Sequence, residues 1–347
     1  MYNRFISILA LSLALIVPAT DAFADAPKKT VRIASGMSHD PHHIGLMEFL
    51  IPWFEEKLGD KYEFEVYPDN ALGNYSDVFQ STVMGSIQFS VSTTALFSQF
   101  VPELMVLDMP YIIENEEQAE IMCTGKIFDE FDGYCRKRGV RLMSIDLSSF
   151  RIFQFGKPVK TMDDMRNIKF RTTSNKFHVK TINSFGMAAT PMGPSEVLTA
   201  LTQGVVGGAD GDNYSPIHYR WAEGAPYIVM ANHMPQFYVW CGSLMWLSSL
   251  PQEDQDLFAE GFRLYYDYME KMLAKLNEFE TLKAALTSLG CDVYVMPQSE
   301  RDRLQEASKG VYDELPANLR EICDRIWAET HAASDEAQAS GNAAAAM

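Results

Sequence analysis

Arg151 and Arg171 stand twenty positions apart in a chain of formal net charge -17. A planar guanidinium presents a fork of N–H donors that matches both oxygens of a carboxylate. In so acidic a protein the overall field repels anions, so two such forks imply a local pocket for a small acid. Ile168 to Thr172 alternates as a short strand, which turns Lys169 and Arg171 to one face and Phe170 to the other. For Arg151 the competing use is a structural ion pair with Asp163 or Asp164.

Other chemistry finds little support. The chain carries no G-x-S-x-G elbow, no H-E-x-x-H, no G-x-x-x-x-G-K-[ST] and no G-x-G-x-x-G. Asp210-Gly211-Asp212-Asn213 starts like a calcium loop, but Ser215 and Trp221 stand where that loop needs Gly and Glu. His39, His42 and His43 could share zinc with Asp40, yet adjacent imidazoles at a helix start face different ways, so no metal is expected. No cofactor is expected either. The negative charge argues against nucleic acid and anionic membrane surfaces as partners.

The elements that must position these residues follow a β-α-β-α-β rhythm. Thr30–Ser35, Tyr62–Tyr67 and Gln88–Ser92 read as strands, separated by helices over about 42–57 and 75–84, with Pro52 kinking the first or marking a break in it. The pattern restarts near Ser148, with strands at Arg151–Phe155 and Ile168–Thr172 and a helix from Lys176. Thr161-Met162-Asp163-Asp164 reads as a capping box. Phe237–Leu247 reads as a buried strand. From Pro251 to Leu289 apolar residues recur at helical spacing, which predicts either one helix of about 58 Å or a pair broken midway.

The first 24 residues have the form of a secretory signal peptide. Arg4 opens it, Phe5–Val17 is mostly apolar, and Ala22-Phe23-Ala24 is a cleavage site before Asp25. About 320 residues then remain, which suits two lobes better than one core. The five cysteines, Cys123, Cys135, Cys241, Cys291 and Cys323, are either buried thiols or form one or two bridges, with Cys123 and Cys135 nearest in sequence. From His331 on, composition predicts disorder.

Several segments together resemble the solute receptors of TRAP transporters, the DctP family. They are Leu104-Met105-Val106-Leu107-Asp108-Met109-Pro110, the Lys-x-Arg strand twenty positions after an earlier arginine, and Gly204-Val205-Val206-Gly207-Gly208. The resemblance covers about Val31 to Trp327. It implies an α/β fold of the two-lobed periplasmic binding type (type II-like), with a long helix spanning both lobes. It places lobe 1 at 25–148 plus about 237–270, and lobe 2 at 149–236 plus about 271–330. It implies an arginine clamp in which Arg171 grips the ligand and Arg151 assists.

The family stretch Gly-Val-Val-Asp-Gly-x-Glu-Asn ends on a ligand-contacting asparagine, matched here by Asn213. Gly207 replaces the usual Asp, and two positions seem inserted, so Asp210 or Asp212 could take that contact instead. From the first lobe, His39, Asp40, Thr93 and Thr94 fall where the family places polar contacts. Phe237, Tyr238 and Tyr214, with Phe150 and Trp240, are aromatic candidates for the cleft wall and equally for the core. The expectation is a monomeric periplasmic receptor that hands an organic acid to a permease of the DctQ–DctM type without chemistry. An exported enzyme acting on small carboxylates and a metal-binding receptor are the alternatives.

Overall fold

The computed structural model describes residues 27–36, 38 and 40–330. The expected signal peptide, His39 and the tail from 331 lie outside the described residues. Eleven strands form two sheets. They are β1 (Lys29–Ala34), β2 (Tyr62–Tyr67), β3 (Phe89–Thr93), β4 (Val140–Phe150), β5 (Ile152–Phe155), β6 (Lys169–Thr172), β7 (Ala188–Pro191), β8 (Gly208–Gly211), β9 (Tyr227–Met230), β10 (Pro235–Ser243) and β11 (Asp292–Val295). The first sheet has the order β2-β1-β3-β10-β4, the second β11-β9-β5-β8-β6-β7.

In β1, Val31 and Ile33 are buried while Arg32 faces out, the alternation a strand with one solvated face requires. β1, β2 and β3 pair in parallel, as the β-α-β rhythm predicts, but β10 runs antiparallel between β3 and β4, so the sheet is mixed. β10 is buried along its whole length, which explains its nearly continuous apolar sequence. It begins two residues before the expected Phe237. It ends at Ser243, whose hydroxyl caps the short helix Leu244–Leu247.

Pro52 is absorbed without a break. Leu46–Leu50 widens into a π-turn in which the Ile51 N–H reaches back to Leu46 O, so the ladder shifts just before the residue that has no N–H to give.

Two strand-to-strand connections cross between the sheets. β4 leaves the first sheet and, after Arg151, becomes β5 of the second. β9 returns through residues 231–234 to β10. The crossings are tied by Arg151 N donating to Met234 O at 2.8 Å.

The long helical run does reach both lobes, but as two helices rather than one. Gln252–Asn277, about 39 Å long at 1.5 Å per residue, buries Phe258, Phe262, Tyr265 and Met269 against the first sheet. Glu278 leaves the helical region (φ -54°, ψ 128°), and its carboxylate accepts from Thr281 N at 2.8 Å. Phe279–Ser288 then buries Leu282 and Leu286 beside Ile152 and Ile228 of the second sheet. Residues 317–330 were expected with the second lobe. Instead they place Ile322 and Ile326 in the cluster that holds Val106 and Phe131 of the first. All five cysteines are buried free thiols.

Candidate functional site

The site is built from the edge of the second sheet outward. β6 carries Arg171 inward and leaves Lys169 exposed. β8 lies beside it in parallel, with Arg171 in register with Ala209, and its other neighbour β5 sets Phe153 opposite Asp210. Arg151 enters at the point where β4 becomes β5. Both arginines are 2 % exposed.

Each fork is anchored by the protein and only partly used up. Arg171 donates from Nε and Nη2 to Met192 O, at 3.1 and 2.9 Å, and from Nη1 to Asp210 O at 2.8 Å. Its guanidinium lies over the Trp221 ring, 4.9 Å from the centroid. Burial pulls its pKa down to about 10, against the opposing charge of Asp210, so it stays a cation at neutral pH. Arg151 donates from Nε to Asp210 Oδ2 at 2.7 Å, from Nη2 to Asp210 O at 3.3 Å, and from Nη1 to Gln236 Oε1. Every terminal nitrogen carries two hydrogens and makes one of these bonds, so each arginine keeps one N–H on each terminal nitrogen.

Asp210 is the counter-charge. Burial alone would push its carboxyl up, but the Arg151 guanidinium, with His233 and His178, outweighs this and holds it well below the usual range. His233, stacked on Phe153 at 3.8 Å, sits 4.0 Å from the same oxygen, outside hydrogen-bond reach. Burial lowers its pKa to about 4, so it is neutral near pH 7.

The two arginines line a cavity of about 170 Å³ between the sheets. The second lobe contributes Arg151, Arg171, Asp212, Tyr219 and Trp221, and the first contributes Thr93, Leu96, Gln236 and Tyr238. Gly211 also faces it. A Cβ there would meet Ser215 Oγ at 2.4 Å and the Trp221 ring at 2.8 Å, so the backbone itself forms the wall. Among the described residues no cluster of His, Cys, Asp and Glu could hold a metal ion.

With the geometry in place, comparison with known proteins is decisive. The profile of "Bacterial extracellular solute-binding protein, family 7" (DctP) matches residues 34–344. The chain belongs to this family. Its relatives include the C4-dicarboxylate-binding periplasmic protein DctP of Rhodobacter capsulatus, 25% identical over 337 residues, covering 95% of this chain and 96% of the relative. A TRAP periplasmic solute-binding protein of Ochrobactrum anthropi has a solved structure with TM-score 0.81 at 22% identity, covering 89% of this chain and 97% of that one. A Haemophilus influenzae TRAP receptor solved with bound L-gulonate gives 0.79 at 24% identity, with 87% and 100% covered. Similarity at that level establishes the two-lobed fold.

Within this DctP-family fold the expected site residues divide sharply. Arg151, Arg171, Asp212, Tyr238 and Thr93 meet at the cavity. Asp40 stands just behind it, accepting from Tyr238 Oη at 2.7 Å and from His42 Nδ1 at 3.0 Å, while Tyr238 stacks on His42. Asp210 lies beneath, bonded to Arg151 rather than exposed. The alternative partners of Arg151 are occupied elsewhere: Asp163 pairs with Arg166 and Arg303, and Asp164 closes the capping box at Thr161.

Four candidates are not at the cavity. Phe237 is wholly buried in the first-lobe core, because alternation along β10 turns it opposite to Tyr238. Thr94 is buried and donates to Asp108 Oδ1 at 2.6 Å. Asn213 and Tyr214 face away from the cavity and bond Asn277 Oδ1, each at 3.1 Å. His39 falls outside the described residues. Gln236, Tyr219 and Trp221 were missed. Gln236 had a signal, a polar side chain two positions before Tyr238 on an apolar strand and hence on the same face.

Proposed function

We propose that this chain is a periplasmic TRAP-type receptor that takes up a small organic acid, seats its carboxylate on Arg171, and passes it unchanged to a permease of the DctQ–DctM type. The observation that supports this most is the unspent N–H pair of Arg171 in a cavity walled by both lobes. An unused, buried, charged fork gains most from an anion that completes it. Arg151, held by Asp210 and Gln236, backs the clamp and extends its donor row. The periplasmic relatives and the signal-like first 24 residues support export, with Asp25 as the first mature residue. We take the sheet exchange at residues 150–152 and 230–235 as the hinge and the chain as acting alone, as a monomer. His39, which precedes Asp40 in the sequence, is proposed as a further ligand contact.

The test is calorimetric titration with organic acids on wild type, Arg171→Ala and Arg171→Lys. Removing the fork leaves a carboxylate unpaired in the closed cavity, at about 2–5 kcal/mol, or roughly 30- to 4000-fold in affinity. Lysine keeps the charge but not the fork, so it should restore only part. Unfolding should remain cooperative in both variants. Near-wild-type affinity in Arg171→Ala overturns the clamp, and conversion of the bound acid to a product overturns the receptor.

A further inference from the structure

Behind the first-lobe wall of the cavity runs a chain of hydrogen bonds with a fixed direction. Asp40 and His42 are both buried, and of the pair and Tyr238 only Tyr238 lines the cavity. Asp40 Oδ1 accepts from His42 N at 2.8 Å, which caps the short helix Pro41–Gly45, and from His42 Nδ1 at 3.0 Å. A carboxylate offers only lone pairs, so Nδ1 must carry the imidazole hydrogen. The other oxygen, Oδ2, takes the Tyr238 hydroxyl at 2.7 Å. Burial alone would raise the pKa of Asp40, but the bonds from His42 and Tyr238 outweigh it and hold the group below its ordinary value. The partners are also locked from outside. The His42 ring stacks on Tyr238 with centroids 4.0 Å apart, and His42 O accepts from the Tyr265 hydroxyl at 2.9 Å.

From this we infer that Asp40, oriented by His42, is a positioning residue that sets the polarity of Tyr238. The phenol gives its one hydrogen to Asp40 and meets the ligand only as an acceptor. The inference rests on the carboxylate-receptor reading above and adds a demand on the ligand's second polar group. Gln236, bonded to Arg151, and Tyr238 stand two positions apart on one face of β10, so the phenol is placed for a group carried along the ligand from its carboxylate. A group with a hydrogen to give completes the phenol oxygen, whereas a carbonyl there sets two acceptors against each other. Direction, not charge, is what the device needs. In Asp40→Asn the amide oxygen must take the place of Oδ1, because the backbone N–H of His42 points there and only an oxygen can accept it. The amide nitrogen then faces Tyr238 and donates to it, which releases the phenol hydrogen to the cavity. Asparagine is as good an N-cap as aspartate, so the helix is kept. One isosteric change thus turns Tyr238 from acceptor to donor and leaves the ring in place.

The experiment titrates the intact mature protein with three matched pairs of acids: lactate and pyruvate, 3-hydroxybutanoate and 3-oxobutanoate, 4-hydroxypentanoate and 4-oxopentanoate, the hydroxy acids as both enantiomers. Within a pair a hydroxyl replaces a carbonyl at one carbon, so the ratio of the two affinities reads polarity at that distance from the carboxylate. For at least one pair the wild type should prefer the hydroxy acid by about tenfold. Asp40→Asn should lower that ratio at least tenfold, and Tyr238→Phe, which removes the oxygen, should move it toward one. A merely structural role for Asp40 weakens both members of a pair alike and leaves the ratio where it was. Asp212 also lines the cavity, but it is the same in every variant and cannot produce the shift. A smaller change in Asp40→Asn at every pair, with binding still lost in Arg171→Ala, keeps the receptor and overturns the polarity setting. Failure of all the acids to bind the wild type overturns both readings.

Discussion

Asp146 and Asp210 are both completely buried aspartates, one in each lobe, and their surroundings treat the charge in opposite ways. Asp210, on β8, receives the Arg151 guanidinium at 2.7 Å and is held well below the usual carboxylate range despite its burial. Asp146, on β4, has the Ser144 hydroxyl at 2.8 Å on one oxygen and no partner on the other. Burial pushes its pKa up to about 6, with His42 opposing the shift. Glu270, on the long helix, is raised to about 7, first by burial and then by the charge of Asp146. One acid is neutralised by a fixed cation, and the other only by a proton, below about pH 6. The Arg151–Asp210 pair therefore keeps its charge across neutral pH, while Asp146 and Glu270 of the first lobe titrate near neutrality.

The largest effect should come from removing that cation. Arg151→Met leaves the Asp210 carboxylate buried without a partner, and breaking such a pair costs about 3–5 kcal/mol. Urea unfolding at pH 7.5 measures it. The same variant makes Asp210 resemble Asp146, so part of the loss should return at pH 5 as the carboxylate takes up a proton. A loss under about 1 kcal/mol, equal at both pH values, would erase the distinction between the two acids.

Asp146 should respond in the opposite sense. Its pKa is about 6 folded against an ordinary 3.8, so between those limits the folded state holds more protons than the unfolded one. Stability then falls as pH rises through that window. Asp146→Asn removes the penalty and should be more stable than wild type by about 1–3 kcal/mol at pH 8, with little difference at pH 3.5. Glu270 should titrate lower in the variant, because one cause of its shift is gone. Chemical denaturation across pH tests both. A stability difference that does not change with pH would mean that packing, not protonation, sets the behaviour of Asp146.

The contrast also shows what the sequence could reveal. Arg151 and Arg171 were legible because two forks in an acidic chain have few uses and because short alternating strands fix their faces. The aspartates were not. Nothing local separates Asp210, whose cationic partner lies 59 positions away, from Asp146, which has only the Ser144 hydroxyl. Phe237 and Tyr238 show a phase ambiguity: in a strand buried on both faces, apolar alternation does not say which side meets the cavity. Thr93 and Thr94 pose the same problem at a strand end. The break at Glu278 was hidden because apolar spacing continues through it, while the cap that makes it depends on a glutamate, an ordinary helix residue. Trp221 reaches Arg171 only through the packing of the second lobe.

The smallest effect concerns Asn213, three residues beyond Asp210 on the same chain segment but on the other side of the hinge. Its amide nitrogen donates to Asn277 Oδ1, which also takes the Tyr214 hydroxyl, while Asn277 Nδ2 donates to Ser148 O at 2.7 Å. Those two bonds fix the Asn277 amide and so fix Asn213, whose Oδ1 has no protein partner. The group borders a separate cleft of about 650 Å³, away from both arginines. If the Arg151–Asp210 pair sustains the cavity by itself, this cluster should matter to the hinge and hardly to the ligand. Asn213→Ala should then cost about 1 kcal/mol of stability, the worth of one ordinary hydrogen bond, and change acid affinity by less than about twofold. Calorimetric titration and an unfolding curve on the same sample separate the two. A tenfold loss of affinity, about 1.4 kcal/mol, would show that the hinge cluster is coupled to the clamp. The constant charge of Asp210 would then be only half of what holds the cavity in shape.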